Sequence, residues 1–468
     1  MIHTPRTNRR SFLKGISAIT AASMFPNLLR AQGVLKKVAL AGIGVTGKGE
    51  SDIDMAAKGN DYVALCDPDK NNLAKAAKKF PNAKLYSDFR KMLDEVKEIE
   101  AVTISTPDHM HYCAAMHAIA GGRHVFIQKP LTNTLWENRE LYLGARKKGV
   151  ITQMGNQGHT YEGNRVTTEW VKGGAIGKVK EVHVWTNRPI WPQGKKAILA
   201  PGQCPETLDW TQWLGATPDI PYSPNIHPFK WRGFLEWGAG AFGDMGCHLM
   251  DAPFVALGLT TASAVTALKV DDLTDIAWPE GAITKLEFAN VPGHGDIPFT
   301  WYEGKKPDGT PYLPEFPPLV DFAEAFKQKN GGAPKASPGG WMIIGTEGLI
   351  LNKSDQAQGM QIWSKKRSDE FLANPPAQTE KRSIKPGDPQ QEWIEAIRAG
   401  HEFKEMSQFD YSIPLTEATL IGGLSMRFPG VRLEWDSKQL KFTNHEAANQ
   451  FIKRKSYRKG WEYSSAKI

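Results

Sequence analysis

A chain of 468 residues is long enough for two or three domains around a large core. With 41% hydrophobic and 23% charged residues it has the composition of a folded globular protein, which excludes wholesale disorder. The formal charge of +8 owes much to Arg6, Arg9, Arg10, Lys14 and Arg30, in a stretch with no acid; without these five the balance is about +3, so nucleic acid is not an expected partner.

The opening TNRRSFLKGISAITAASMFPNLLRAQG carries twin arginines (Arg9, Arg10), then Phe12-Leu13-Lys14, a weakly apolar run and a small-residue exit near Ala31. Residues 1–31 therefore read as a twin-arginine signal, and the protein as exported, for example to the periplasm. The apolar run is only about 15 residues long and contains Pro26, too short and too broken for stable membrane insertion. This export route carries folded proteins, so a cofactor can be taken up before departure. Cys66, Cys113, Cys204 and Cys247 lack CxxC spacing, which fits neither a zinc site nor a disulfide framework.

Across residues 34–157, short apolar strands (KKVALAG, DYVALCD, EAVTIS, HVFIQ, VITQMG) alternate with amphipathic helical runs such as NNLAKAAKKF and HYCAAMHAIAGG. That succession predicts a doubly wound α/β domain with a parallel sheet. From 158 to 468 the pattern changes. Runs such as AVTALKV, AITKLEF and IPFTWYE have period two, the signature of a large, mainly antiparallel sheet with one face covered and one open. This second domain reads as α+β, with helices at QQEWIEAIRAG and PLTEATLIGGLSMRF. The basic end, IKRKSYRKGW, reads as a solvated tail in a C-terminal extension.

Gly42-Ile43-Gly44-Val45-Thr46-Gly47 follows the first strand and opens a helix, giving G-x-G-x-x-G. Its glycines allow a tight turn and let backbone N–H groups approach a pyrophosphate at a helix N-terminus. Asp67 ends the second strand 25 residues after Gly42, where a carboxylate can bind both ribose hydroxyls and repel a 2′-phosphate. NAD is thus the expected cofactor rather than NADP. Thr106, Pro107 and His109, in the loop after the strand EAVTIS, should line the same crevice. Asp108, His109 and His111 resemble a metal cluster, but they begin a helix and no second cluster completes a coordination shell, so no metal is expected.

These residues resemble the Gfo/Idh/MocA oxidoreductases, through GIGVTG, STPDH, the Lys129-Pro130 pair and GDMGCHLMD. The resemblance implies a Rossmann domain followed by an open-sheet domain, and action largely on sugars and cyclitols. It places Lys129, from a Glu-Lys-Pro motif, beside the nicotinamide and the substrate hydroxyl, and matches Asp244 and His248 to an Asp-x-x-x-His pair. Residues four apart on a helix share a face, so Asp244 and His248 can enter one pocket. His248 is the natural acid/base, and Asp244 can bind a hydroxyl or tune the imidazole. Lys129 can serve as the base, or as a charged donor to the forming carbonyl; we prefer the donor. Gly243 and Gly246 are expected to let backbone approach a ligand, and Cys247 to be a small packing residue. One departure stands out. Position 128 is Gln where the family usually has glutamate, so the lysine lacks an adjacent carboxylate.

Six tryptophans lie between Trp185 and Trp237, most of them expected to pack a large irregular loop. His159, Arg188, Trp191, His227 and Lys230 are the candidate substrate contacts. The leading expectation is an NAD-dependent oxidoreductase acting on a sugar, glycoside or cyclitol hydroxyl, with tightly bound cofactor because free NAD is scarce outside the cytoplasm. The alternative is glycoside cleavage by transient oxidation and elimination. Less favoured is a non-catalytic sugar-binding protein. An open sheet face also predicts a homo-oligomer.

Overall fold

The computed structural model describes residues 36–327, 332, 339–400, 403 and 406–468; the twin-arginine stretch lies outside them. Its first layer is a six-stranded sheet of β1 (Ala39–Ile43), β2 (Asp61–Cys66), β3 (Lys84–Tyr86), β4 (Ala101–Ile104), β5 (His124–Ile127) and β6 (Thr152–Met154). The strand order is β3-β2-β1-β4-β5-β6, and every described pairing in it is parallel. The connecting helices are α1 (Lys48–Ala56), α2 (Lys70–Lys79), α3 (Phe89–Glu95), α4 (Asp108–Ala120) and α5 (Leu135–Lys148). Asp69, Asp88 and Thr134 start three of them, each accepting a backbone N–H of the first turn on its side-chain oxygen.

Helix α6 (Glu162–Lys172) leads into a nine-stranded mixed sheet. Its strands are β7 (Val179–Thr186), β8 (Ala264–Asp271), β9 (Gly281–Val291), β10 (Gly295–Gly304), β11 (Gly339–Gly345), β12 (Leu349–Asn352), β13 (Gln361–Trp363), β14 (Arg432–Asp436) and β15 (Lys441–Phe442). The order runs β13-β12-β11-β7-β10-β9-β8-β14-β15, with β7 and β10 parallel and the other pairs antiparallel. The inner face packs beneath α7 (Gly240–Leu249) and α9 (Phe409–Ser425), joined in chain order by α8 (Pro389–Ala399). Phe242 of α7 stacks on Trp301 of β10 at 4.5 Å and 4°. Burial of such a side chain contributes about 1.5–3 kcal/mol, which holds a glycine-rich helix of poor intrinsic propensity in place.

Three expectations change. The outer sheet face is not open throughout: Trp185, Met342, Leu351 and Trp363 are covered by Phe316, Val320 and Phe326, while the β9 half presents the Lys285–Glu287 ion pair. Helix α8 does not stay with the second domain. Trp393, Ile394 and Ala396 bury themselves among Leu40, Ile53, Ala101 and Phe126, so the chain returns to the first domain's core. The basic tail is not solvated either. Arg454 is buried against Glu137 and Glu236, Arg458 donates to the Gly215 and Thr211 carbonyls, and Trp461 packs on Phe89 at 5.7 Å.

Candidate active site

The glycine turn is built as its sequence requires. Gly44 has φ +81°, and a Cβ there would lie 2.6 Å from the Ser105 carbonyl. Gly49, outside the expected fingerprint, brings α1 against the turn: its Cβ would stand 2.1 Å from the Gly44 oxygen. The turn is fastened by Gly44 N–H to the Cys66 carbonyl at 2.9 Å and by Val45 N–H to Asp67 Oδ2 at 3.1 Å. Asp67 Oδ1 accepts from Asp69 N–H and Asn72 Nδ2, both at 3.0 Å. Burial pushes the Asp67 carboxyl above its usual range, against these hydrogen bonds.

A glycine cradle at a helix N-terminus, with a carboxylate at the end of β2, fits a nicotinamide dinucleotide. Gly42, Ile43, Gly44, Gly47 and Asp67 would hold it, with Thr106 and Pro107 across the switch point between β1 and β4. His109 is a correction: it is wholly buried, its Nε2–H donates to the Trp213 carbonyl at 2.9 Å, and it does not line the crevice. Burial pushes it down to about 3. His111 instead lies between the Pro130 and Thr106 carbonyls, at 2.8 and 2.9 Å, tying the two loops together.

Lys129 leaves the end of β5 and crosses to the second domain. Its Nζ donates to Asp244 Oδ1 at 2.8 Å and to the Asp244 carbonyl at 3.0 Å. Asp244 also faces Arg232 Nε at 3.5 Å and Arg188 Nε at 3.6 Å. Burial alone would raise its pKa, but Lys129 and Arg232 together hold the carboxyl far below the usual range. His248 follows one turn later on α7. Its Nδ1 is buried with no hydrogen-bond partner among the described residues, which leaves Nε2 as the nitrogen available to the cleft. Burial first, then the Lys129 charge, push this imidazole down to about 3, so it is neutral at pH 7 and a weak base, with the charges of Asp244 and Asp251 opposing the shift.

Gly243 and Gly246 serve packing rather than a ligand: their Cβ atoms would meet Ala239 at 2.3 Å and Thr419 at 2.5 Å. Cys247 is a buried packing residue, its thiol pushed up to about 12 by burial.

Of the five candidate substrate contacts, Arg188 alone approaches Asp244. His159 is buried against Asp251 at 2.8 Å, in a cluster with Asn156, Asn164 and Tyr411. Trp191 is buried and donates to Gln193 Oε1 at 2.9 Å, His227 lies among Trp210, Trp213 and Tyr222, and Lys230 is exposed. Two residues join the site without a motif to announce them. Arg232 Nη1 grips both Asp108 oxygens, at 2.9 and 3.0 Å, while its Nε faces Asp244. Asp355 faces Arg188 and Asp244, and its carboxyl is raised by burial. A cavity of about 440 Å³ lies behind α7, lined by Trp278, Arg427 and Arg454 among others, and includes none of Lys129, Asp244 or His248. Among the described residues no group of three His, Cys, Asp or Glu is placed to hold a metal, and no helix is long and apolar enough to cross a membrane.

A doubly wound domain with a glycine turn, joined to a mixed sheet that delivers Asp244 and His248 to Lys129, defines a two-domain protein with a Rossmann-type dinucleotide-binding fold. Residues 36–156 match the NAD-binding Rossmann fold of the Gfo/Idh/MocA oxidoreductase family and residues 174–275 its C-terminal alpha/beta domain. Over 196 residues it is 26% identical to the levoglucosan dehydrogenase of Pseudarthrobacter phenanthrenivorans, covering 42% of each chain. Over 210 residues it is 26% identical to the D-glucoside 3-dehydrogenase of Escherichia coli, covering 44% of this chain and 49% of that one. The matches thus span about half the length of these curated relatives. The fold is that of the WlbA dehydrogenase of Bordetella pertussis, solved with NADH and UDP-GlcNAcA, with a TM-score of 0.60 at 16% identity, covering 86% of this chain and 99% of that one.

Proposed function

We propose that the protein oxidises a CH–OH group of a sugar, glycoside or cyclitol, using NAD held through the reaction cycle. The observation that carries this reading is the pairing of a cationic donor, Lys129, with a neutral acceptor, His248, across Asp244. A substrate hydroxyl between them gives its proton to His248 Nε2, while Lys129 Nζ donates to the oxygen as it becomes a carbonyl. Asp244 offsets the positive charge that then forms on the imidazole. With the pyrophosphate of NAD held at the glycine turn, the nicotinamide would supply the acceptor for the carbon's hydride. Asp67 supports NAD over NADP, since a 2′-phosphate would meet its carboxylate. The sugar-directed names of the two dehydrogenases above support a carbohydrate substrate. Export by the twin-arginine stretch and self-association through the uncovered half of the second sheet belong to the same reading; cell fractionation and light scattering check them.

A second reading is supported by Asp355. A carboxyl whose pKa is raised by burial, near Asp244, is better suited than an ordinary aspartate to protonating a departing glycosidic oxygen after oxidation at C3 has acidified the C2 hydrogen. The experiment is to denature purified protein, look for NAD by mass spectrometry, then offer 3-keto sugars and aryl glycosides in deuterated water. Exchange of redox state between two sugars supports oxidation, and aglycone release with deuterium at C2 supports cleavage. Protein with no NAD and no affinity for it sinks both.

A further inference from the structure

Asp52, in the middle of α1, has no solvent exposure, yet four donors converge on its two oxygens. Lys48 Nζ and Gln390 Nε2 each reach Oδ1 at 2.7 Å; Ser105 Oγ and Gln128 Nε2 reach Oδ2 at 2.7 and 2.8 Å. The donors come from four places: the start of α1 beside the glycine turn, the loop after β4, the residue before Lys129, and helix α8. A buried carboxylate persists only where its lone pairs are satisfied in this way.

Gln128 has no room to turn elsewhere. Its backbone N–H is bound to the Ile104 carbonyl at 2.9 Å, and a Cβ on Gly155 would lie 2.4 Å from its amide nitrogen. The amide is required by its partner. A glutamate here would set a second carboxylate against Asp52, with Lys48 the one cation among Asp52's four partners. Lys48 also stands close enough to His248 that its charge disfavours the imidazolium. The carboxylate node therefore touches the glycine turn, the lysine's own segment and, through Lys48, the field at the proton acceptor.

We propose that Asp52 is the positioning residue of this active site. It fixes the backbone from which Lys129 emerges through Gln128, and holds the Lys48 ammonium beside the glycine turn. The carboxylate facing this segment is supplied by α1, with Gln128 as its neutral complement. This assignment rests on the dinucleotide oxidoreductase reading.

The test moves the charge across the hydrogen bond in the full-length holoenzyme: Gln128→Glu, Asp52→Asn and the double variant Asp52→Asn/Gln128→Glu. Each single change should lower kcat by about tenfold or more and weaken NAD binding by a similar factor, because a buried charge loses its complement. The double variant, with one carboxylate and one amide again facing each other, should recover about tenfold over either single. Gln128→Glu alone should regain activity as pH falls and the crowded pair takes up a proton, a profile that simple destabilisation does not produce. A double variant no better than the worse single, or singles that lower Tm while kcat, NAD affinity and pH profile stay unchanged, would overturn the proposal. NAD affinity keeps the two questions apart. A wild type that binds NAD but oxidises no offered sugar counts against the proposed function, and the charge swap is still decided on Kd.

Discussion

Lys129 and Asp244 come from different domains and meet at 2.8 Å, an ion pair that, with Arg232 and Asp108, joins the dinucleotide fold to the mixed-sheet fold. Both side chains are nearly buried, with 13% and 12% exposure. Arg188 and Arg232 stand behind Asp244, so its charge stays compensated when Lys129 is removed. Lys129→Met should therefore leave a folded protein and cut turnover about a hundredfold or more, with NAD still bound. His248→Ala should have a similar effect on kcat. Near-normal steady-state rates for either variant would show the roles to be wrongly assigned.

The glycine turn, the parallel sheet and the Asp244–His248 pair were legible in the chain because each rests on local spacing: a strand-turn-helix, a period, an i,i+4 interval. What was not legible depends on partners far away in sequence. β3 is three residues at a sheet edge with Leu85 44% exposed, too short to leave a periodic trace. The periodicity of α8 gave its type but not the domain it joins, which Trp393 settles by packing against Phe126 at 5.9 Å. Arg232 and Asp355 follow no motif, and Gln128 made no sense until Asp52, 76 residues earlier, was seen to face it.

His109 ties stability to pH. The unfolded chain protonates it near 6.5 and the folded protein only at about 3, so between those values the unfolded state binds more protons. Its contribution is fully present above about pH 6.5 and is lost as the pH falls. His109→Gln retains a donor for the Trp213 carbonyl and removes the titration. Unfolding free energies measured from pH 6 to 4 should fall less steeply in the variant, by about 1.4 kcal/mol per pH unit. Parallel curves would mean that the imidazole is not held neutral.

Glu303 acts with the opposite sign. It is buried on β10 beside Trp301, whose Nε1–H donates to it at 2.7 Å, and burial raises its carboxyl to about 8. The folded state thus keeps a proton that the unfolded state releases near 4.5, and stability drains away as the pH rises between the two. Glu303→Gln keeps an acceptor for the indole. It should gain on wild type by about 1.4 kcal/mol per unit between pH 5 and 8, read by denaturant melts at several pH values.

Arg454 shows what the basic tail does. Its Nε meets Glu137 Oε1 at 3.1 Å and its Nη1 meets Glu236 Oε1 at 2.6 Å, with side-chain exposures of 4% for the arginine and 1% for Glu137. Tyr457 donates to the same Glu137 oxygen at 2.9 Å, so this short stretch pins the start of α5 to the loop that precedes α7. Removing the cation strands a buried carboxylate, a loss of about 3–5 kcal/mol. Arg454→Met should therefore lower the melting temperature clearly, whereas Lys455→Met, at the exposed next residue of the same run of charges, should not. Glu137→Gln in the Arg454→Met background should return part of the loss, since the stranded charge is then gone. A melting temperature unchanged by Arg454→Met would restore the view of this segment as a solvated tail.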